Sequence, residues 1–110
     1  MVEDFYCEEV LSGRTPVRVV KETGTVLAYH HTRPAWPVHI VVIPKCHVPS
    51  LVDLGEADER LLGELIAVVR EVAAEVSAKH GAARVLTNLG EYQDSGHLHF
   101  HVNFGEPREA

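Results

Sequence analysis

Three histidines alternate with apolar residues near the end of the chain, in the run His97-Leu98-His99-Phe100-His101-Val102. In an extended strand, alternate side chains point to the same face, so the three imidazoles share one face and the apolar side chains the other. Neighbouring imidazoles then lie about 6.6 Å apart. A ring with a pKa of about 6.5 is largely neutral at pH 7, and it can attack phosphorus, move a proton or bind a metal ion. The run therefore predicts phosphoryl chemistry or a metal site. The alternative without a chemical role is a strand face that is exposed to solvent.

A second histidine segment, His39-Ile40-Val41-Val42-Ile43-Pro44-Lys45-Cys46-His47, has a continuous apolar run between its two ends. This run is short and rich in β-branched residues, which favours a buried central strand over a helix. Pro44 is expected to end the strand, because proline lacks an amide hydrogen. The segment indicates that histidines from two strands meet at one site.

The rest of the chain predicts an α+β fold with a mainly antiparallel sheet. Its length fits a single domain over 1–110. Apolar residues recur every three or four positions over 58–80, which predicts one long helix that Gly81 ends. A metal-dependent hydrolase or a cupin-like oxygenase built on His-x-His would need a jelly roll of many strands, and this helix argues against one. The remaining predicted elements are a short helix over 4–11 and strands over 17–21, 25–30, 39–43, 84–89 and 98–104.

Composition excludes several classes of protein. The formal net charge is −6 and there is no basic block, so a nucleic-acid surface is not expected. No apolar run approaches the roughly 20 residues that span a bilayer, so no membrane association is expected. Two cysteines without a CxxC pair suggest free thiols in a reducing compartment, and the acidic N-terminus lacks an apolar leader. We therefore expect a cytoplasmic protein.

Three segments together resemble a known family: 26–54 (VLAYHHTRPAWPVHIVVIPKCHVPSLVDL), 84–90 (RVLTNLG) and 97–102 (HLHFHV). They are similar to the histidine-triad (HIT) superfamily, whose motif is His-apolar-His-apolar-His-apolar-apolar, and most similar to its small nucleoside phosphoramidase (HINT-like) branch. The resemblance implies a five-stranded sheet with one long and one short helix, and a homodimer that extends the sheet.

The resemblance also implies a hydrolase or transferase acting on the α-phosphorus of purine nucleoside phosphoramidates. The reaction would pass through a covalent nucleotidyl-histidine and would need no cofactor. A dinucleoside polyphosphate or acyl-nucleotide hydrolase of the same family is the near alternative. A non-catalytic nucleotide-binding protein is the alternative from a different class.

Four catalytic residues follow from the match. His99 would be the nucleophile in an open pocket, and a main-chain carbonyl near His97 would orient it. His101 would contact phosphate oxygens, and His39 would assist proton transfer.

Four substrate-binding residues follow in the same way. Asn88 would lie near phosphate and sugar, although a turn residue is an equal interpretation. Ser95 fits the serine that serves the leaving group, and Tyr29 would lie at the base, where core packing is the alternative. His31 stands where an acidic residue of the family binds ribose hydroxyls, and a neutral histidine cannot accept two hydroxyl hydrogen bonds as a carboxylate does.

A structural zinc ion is a further possibility that the resemblance raises. Some members bind zinc through an N-terminal CxxC and two histidines, and the matching residues are Asp4, Cys7, His47 and His97. Aspartate is an acceptable but less typical zinc ligand. The alternative is that Cys7 is a small buried hydrophobic residue without a metal.

Overall fold

The computed structural model of the chain describes residues 6–108. Within this range five strands form one sheet: β1 (Val19–Glu22), β2 (Val26–His30), β3 (Val38–Pro44), β4 (Arg84–Leu86) and β5 (Phe100–Phe104). Their order across the sheet is β1-β2-β3-β5-β4, and each neighbouring pair is antiparallel. The predicted α+β fold with a five-stranded antiparallel sheet is therefore confirmed.

One long helix, α1 (Glu59–His80), covers one face of the sheet. It begins where the carboxylate of Asp58 accepts a hydrogen bond from the Leu61 amide at 3.0 Å, and it ends at Gly81, which has a φ of 92°. Its buried stripe packs against apolar side chains of β2, β3 and β5, so the helix predicted over 58–80 is confirmed. The stripe consists of Leu65, Val68, Val69, Val72 and Val76.

The opposite face of the sheet is covered at one end by a π-helical turn, Tyr6–Val10. Tyr6 and Val10 pack there on apolar residues of β2 and β3. The predicted short helix over 4–11 is thus a single turn in the described part of the chain, and its first two residues lie outside that part. The face is consequently divided between this turn and the histidines.

The histidine run differs from its prediction, because β5 begins at Phe100 and leaves His97 and His99 ahead of the strand. The register pairs Val42 with Phe100, so the next pairs along the ladder would reach Pro44, which has no amide hydrogen to donate. The Leu98 amide donates instead to the Val48 carbonyl at 2.6 Å. The alternation of faces survives without the ladder, since Leu98 joins the core under α1 as Phe100 and Val102 do.

β2 and β3 lie within one residue of their predicted bounds at each end, and the other two strands differ by more. β1 lies two residues later at its start, and β4 ends at Leu86 rather than at residue 89. The chain beyond β4 turns away and forms a short 3-10 turn, Gly90–Tyr92, which carries it toward the histidine run. No helix among residues 6–108 combines the length and the apolar character needed to cross a bilayer.

Candidate active site

The His99 ring is held in one orientation by backbone groups. Its Nδ1 lies 2.8 Å from the carbonyl oxygen of His97, and a carbonyl can only accept, so Nδ1 carries the hydrogen. In the neutral ring the lone pair is then on Nε2. The Thr87 hydroxyl donates to the His99 carbonyl at 2.7 Å and fixes the backbone of the same residue. This is the geometry that the resemblance implies for a nucleophile, whose role stays a prediction.

A second pair of histidines is ordered in the same manner. The Ala35 amide donates to Nδ1 of His39 at 3.0 Å, so the hydrogen of the neutral His39 ring is on Nε2. That Nε2 lies 2.8 Å from Nδ1 of His101 and donates to it. The hydrogen of His101 is therefore on its own Nε2. The ring centres of His101 and His99 are 5.0 Å apart, so the ring that carries this donor lies beside the ring that holds the lone pair.

The charge state of this pair follows from its burial. Burial, and after it the neighbouring His99 ring, lowers the pKa of His101 to about 3. Burial, and after it the His31 ring, lowers the pKa of His39 to about 4. Both rings are neutral at pH 7, which is the state in which the hydrogen-bond chain from Ala35 is formed.

A cavity of about 440 Å³ opens beside these rings. Three of the predicted substrate-binding residues line it, namely Tyr29, His31 and Ser95, whereas Asn88 does not. Asn88 is half-buried in the segment that follows β4. Burial, and after it the nearby Tyr6, raises the pKa of the Tyr29 phenol, so this residue stays protonated. The cavity is lined by Tyr6, Tyr29, His31, Thr32, Arg33, Asp94 and Ser95.

The His99 ring does not face an open pocket, contrary to the expectation from the sequence. His99 is 1% exposed, and the Tyr6 ring lies against it with ring centres 4.8 Å apart. Tyr6 is itself a wall of the cavity. Among the described residues, Tyr6 therefore lies between the His99 ring and the cavity.

Three of the four candidate zinc ligands meet behind Tyr6. The Cys7 sulfur lies 3.3 Å from Nδ1 of His97 and 3.8 Å from Nδ1 of His47. Asp4 lies outside the described residues. A tetrahedral zinc ion would hold sulfur and nitrogen ligands about 3.6 Å apart, given Zn–S of about 2.3 Å and Zn–N of about 2.1 Å. The observed separations lie on either side of that value, so the three residues fit zinc.

The outer hydrogen bond of His97 supports this fit. Its Nε2 donates to the Pro44 carbonyl at 2.8 Å, which leaves the lone pair on Nδ1, the nitrogen that faces Cys7. A histidine that binds a metal commonly donates its other ring hydrogen to a carbonyl in this way. A thiol has one hydrogen and can donate it to only one of the two imidazoles. The arrangement suits a metal ion or a thiol–imidazole hydrogen bond.

Two residues that shape the site were not singled out from the sequence. Thr87 fixes the His99 backbone, and Ala35 sets the tautomer of His39. Trp36, which lies in the proline-containing loop, packs edge-on against His39 with ring centres 5.0 Å apart. Backbone donors and acceptors leave no signal in the residue types, whereas Thr87 could have been noted because it adjoins Asn88.

Comparisons with known proteins identify the family of this chain. A sequence profile described as the HIT domain matches residues 12–106. The chain belongs to the HIT family. The chain is 33% identical over 108 residues to an uncharacterized HIT-like protein of Synechocystis, covering 97% of this chain and 95% of that one. It is 26% identical over 109 residues to the purine nucleoside phosphoramidase of Escherichia coli, covering 97% and 92% of the two chains.

Solved HIT structures have the same fold. A HIT family hydrolase from Legionella pneumophila superposes with a TM-score of 0.79 at 26% identity and 94% coverage of both chains. A histidine-triad protein from Clostridium difficile superposes with a TM-score of 0.78 at 29% identity, covering 97% of this chain and 94% of that one. At the level of the family, these relatives support a nucleotide hydrolase type of function for the HIT protein described here.

Proposed function

We propose that this HIT protein hydrolyses purine nucleoside phosphoramidates at the α-phosphorus through a nucleotidyl group on His99. The observation that carries the proposal is the hydrogen bond from His99 Nδ1 to the His97 carbonyl. It leaves the lone pair on Nε2 and stabilises the positive charge that the ring acquires when Nε2 bonds to phosphorus.

The reaction has two displacements at phosphorus. His99 Nε2 attacks the α-phosphorus, so an N–P bond forms while the P–N bond to the leaving amine breaks. The amine leaves after its nitrogen has taken a proton. Water then attacks the same phosphorus, the bond to Nε2 breaks, a proton of the water is released, and the nucleoside monophosphate departs. Splitting one substitution into two lowers the barrier of each.

The neighbouring residues supply binding and protons in this scheme. The Nε2 hydrogen of His101 donates to a phosphate oxygen, and His39 holds His101 in that tautomer and assists proton transfer. Ser95 serves the leaving amine, and its burial beside the cavity suits that role. Tyr29 contacts the base, and Asn88 is assigned to phosphate and sugar.

Chemistry of this kind needs no cofactor, and a metal ion would be structural. We propose zinc on Cys7, His47 and His97, with Asp4 as the candidate fourth ligand. Zinc would tie the N-terminal turn to the segment that carries His97. Protein purified without added zinc should contain about one equivalent, and the variant Cys7→Ala should lose it while His30→Ala, a histidine outside the cluster, keeps it. If the purified protein contains no zinc, and if added zinc leaves its thermal stability unchanged, the proposed zinc site is wrong.

The edge of the sheet supports a homodimer. β4 is one of the two edge strands, and apolar side chains are exposed on it and beyond it, with Val85 46% and Leu89 40% exposed. Unpaired edge strands with apolar side chains favour pairing with another chain. We propose that two copies pair along β4. We also propose that the protein is cytoplasmic.

The decisive experiment compares substrates. The enzyme should have a higher kcat/KM for adenosine and guanosine phosphoramidates than for dinucleoside polyphosphates or acyl-nucleotides, and EDTA should not abolish turnover. His99→Asn should abolish turnover while a nucleoside monophosphate still binds. A preference for a P–O–P or acyl substrate would assign one of the related hydrolase activities, and binding without any turnover would make the protein a nucleotide-binding module.

A further inference from the structure

The cavity beside His99 has two chemically different parts. Its inner walls include the aromatic rings of Tyr6 and Tyr29, both almost fully buried, and these rings suit a purine base. Its mouth is polar, and it is formed by the half-buried His31 and the exposed Thr32, Arg33 and Asp94. The proposed function puts the phosphorus at His99, and the aromatic walls suit the base. The sugar is therefore the remaining part of the nucleotide that the mouth can contact.

His31 can only donate at this mouth. Its Nδ1 accepts the Arg33 amide at 2.9 Å, so the hydrogen of the neutral ring is on Nε2. The ring is stacked on His39 with centres 4.4 Å apart, which fixes its plane. Burial, followed by the neighbouring His99, lowers the pKa of His31, so the ring is neutral at pH 7. A sugar hydroxyl can accept a hydrogen bond from this ring but cannot donate one to it.

Among residues 6–108, Asp94 is the one carboxylate that lines the cavity. Its charge acts on His31 and partly offsets the lowering of the His31 pKa, which shows that the two side chains are near each other. Within residues 6–108 the ion pairs are Arg14–Glu9, Lys21–Glu71 and Lys45–Glu22, so Asp94 is not paired with the Arg33 at the same mouth. Its two oxygens are available to a ligand.

We propose that Asp94 accepts the hydrogen bonds of the ribose 2′- and 3′-hydroxyls, while Nε2–H of His31 donates to one of the same hydroxyl oxygens. The proposal rests on the proposed function and names the sugar specificity of that site. Each vicinal hydroxyl has one hydrogen to donate, and a carboxylate has two acceptor oxygens, so the diol and the carboxylate match. The acceptor thus comes from the segment that leads into the histidine run, and the donor comes from the segment that follows β2.

A hydrogen bond to a charged acceptor makes the enzyme discriminate between sugars. Loss of one hydroxyl should lower kcat/KM about tenfold to a hundredfold, as expected for a hydrogen bond that involves a charged group. The wild-type enzyme should therefore prefer adenosine 5′-phosphoramidate over its 2′-deoxy and 3′-deoxy counterparts by such factors.

The test measures these three substrates in matched variants. Asp94→Asn keeps the shape of the side chain but removes the charge and one acceptor, so the ratio of ribose to deoxyribose kcat/KM should fall toward one. Glu91→Gln changes an exposed carboxylate nearby that does not line the cavity, and it should keep the wild-type ratio. An Asp94→Asn enzyme that keeps the ratio, or that loses activity equally on all three substrates, overturns the proposal.

Binding separates failure of this proposal from failure of the proposed function. If wild-type protein hydrolyses no phosphoramidate, the proposed function fails, and the affinities for adenosine and 2′-deoxyadenosine monophosphate are compared by calorimetry in the same variants. A preference for the ribonucleotide that Asp94→Asn abolishes would still support the sugar contact. Hydrolysis without any preference between the sugars overturns the sugar contact alone.

Discussion

The protonation sites of the central histidines are set by main-chain groups whose roles cannot change. The His97 carbonyl can only accept and the Ala35 amide can only donate, so the hydrogens of His99, His39 and then His101 follow in turn. The neutral cluster is thus arranged before any substrate arrives. In the proposed mechanism, this pre-organisation lets the weakly basic His99 ring act as a nucleophile in a fixed direction.

Stability should fall as the pH falls below about 6.5, because His39 and His101 bind protons more weakly in the folded chain. Their pKa values are about 4 and about 3 in the fold, against an ordinary value of 6.5, so between these limits the unfolded chain binds protons that the folded chain does not. Each ring should contribute a slope of about 1.4 kcal/mol per pH unit in that window.

Urea unfolding between pH 5 and pH 7 measures this slope directly. His101→Asn removes one of the two rings and should make the slope shallower than that of the wild type, and His39→Asn should act in the same direction. If both variants unfold with the wild-type pH dependence, the buried pair does not have the depressed pKa values that the structure gives it.

How much of the site the sequence could predict is clear from individual residues. The alternation from His97 to Val102 correctly placed Leu98, Phe100 and Val102 in the core, because that pattern depends only on local geometry. It did not reveal that His97 and His99 precede the strand, since that depends on Pro44 of another strand reaching the same point of the ladder. Nor did it reveal the cover over His99, because the position of Tyr6 depends on tertiary packing.

The elements that hold the site meet at a close contact between β5 and the loop before β3. Gly105 follows β5 with a φ of +100°, and a Cβ atom there would lie 2.9 Å from Pro37 side-chain atoms. The same loop carries Ala35, whose carbonyl accepts the Arg108 amide at 2.6 Å. The donor that orients His39 therefore depends on how closely these segments approach.

Gly105→Ala should lower the free energy of unfolding by about 1–3 kcal/mol, because it combines a strained backbone angle with a steric overlap. Gly24→Ala is the matched control, since its added Cβ would meet no atom within 4 Å and its change should stay within about 0.5 kcal/mol. Chemical denaturation of the two variants measures both values. Equal effects would show that the contact with Pro37 is not tight.

Within residues 6–108 the sheet has one covered face, one half-covered face and two edge strands, of which β4 is the proposed dimer edge. α1 closes the first face, and the N-terminal turn covers part of the second beside the histidines. The edge strand is short and carries exposed Val85, while the 3-10 turn beyond it carries Tyr92, which is 80% exposed. The sequence pattern predicted these faces well, but a partner at the edge leaves no local periodic signal.

A dimer through this edge should be disrupted by a charge at Val85. The wild-type protein should sediment as a dimer at micromolar concentration, and Val85→Asp should shift it to the monomer, because a buried unpaired carboxylate at an interface is strongly unfavourable. Val52→Asp changes a residue that is 76% exposed and lies outside β4, and this variant should remain dimeric. A monomeric wild type, or a dimer that tolerates Val85→Asp, would contradict pairing along β4.

In the proposed mechanism, the His99 nitrogen becomes covalently bonded to the nucleotide during turnover. Rapid acid-free quenching during turnover of a nucleoside phosphoramidate, followed by peptide mass analysis, tests it most directly. A nucleoside monophosphate adduct is expected on the peptide that contains His99, located on His99 by fragmentation and absent from His99→Asn. An adduct on His97 or His101, or hydrolysis that inverts the configuration of a chiral α-phosphorus and so proceeds by one displacement, would contradict it.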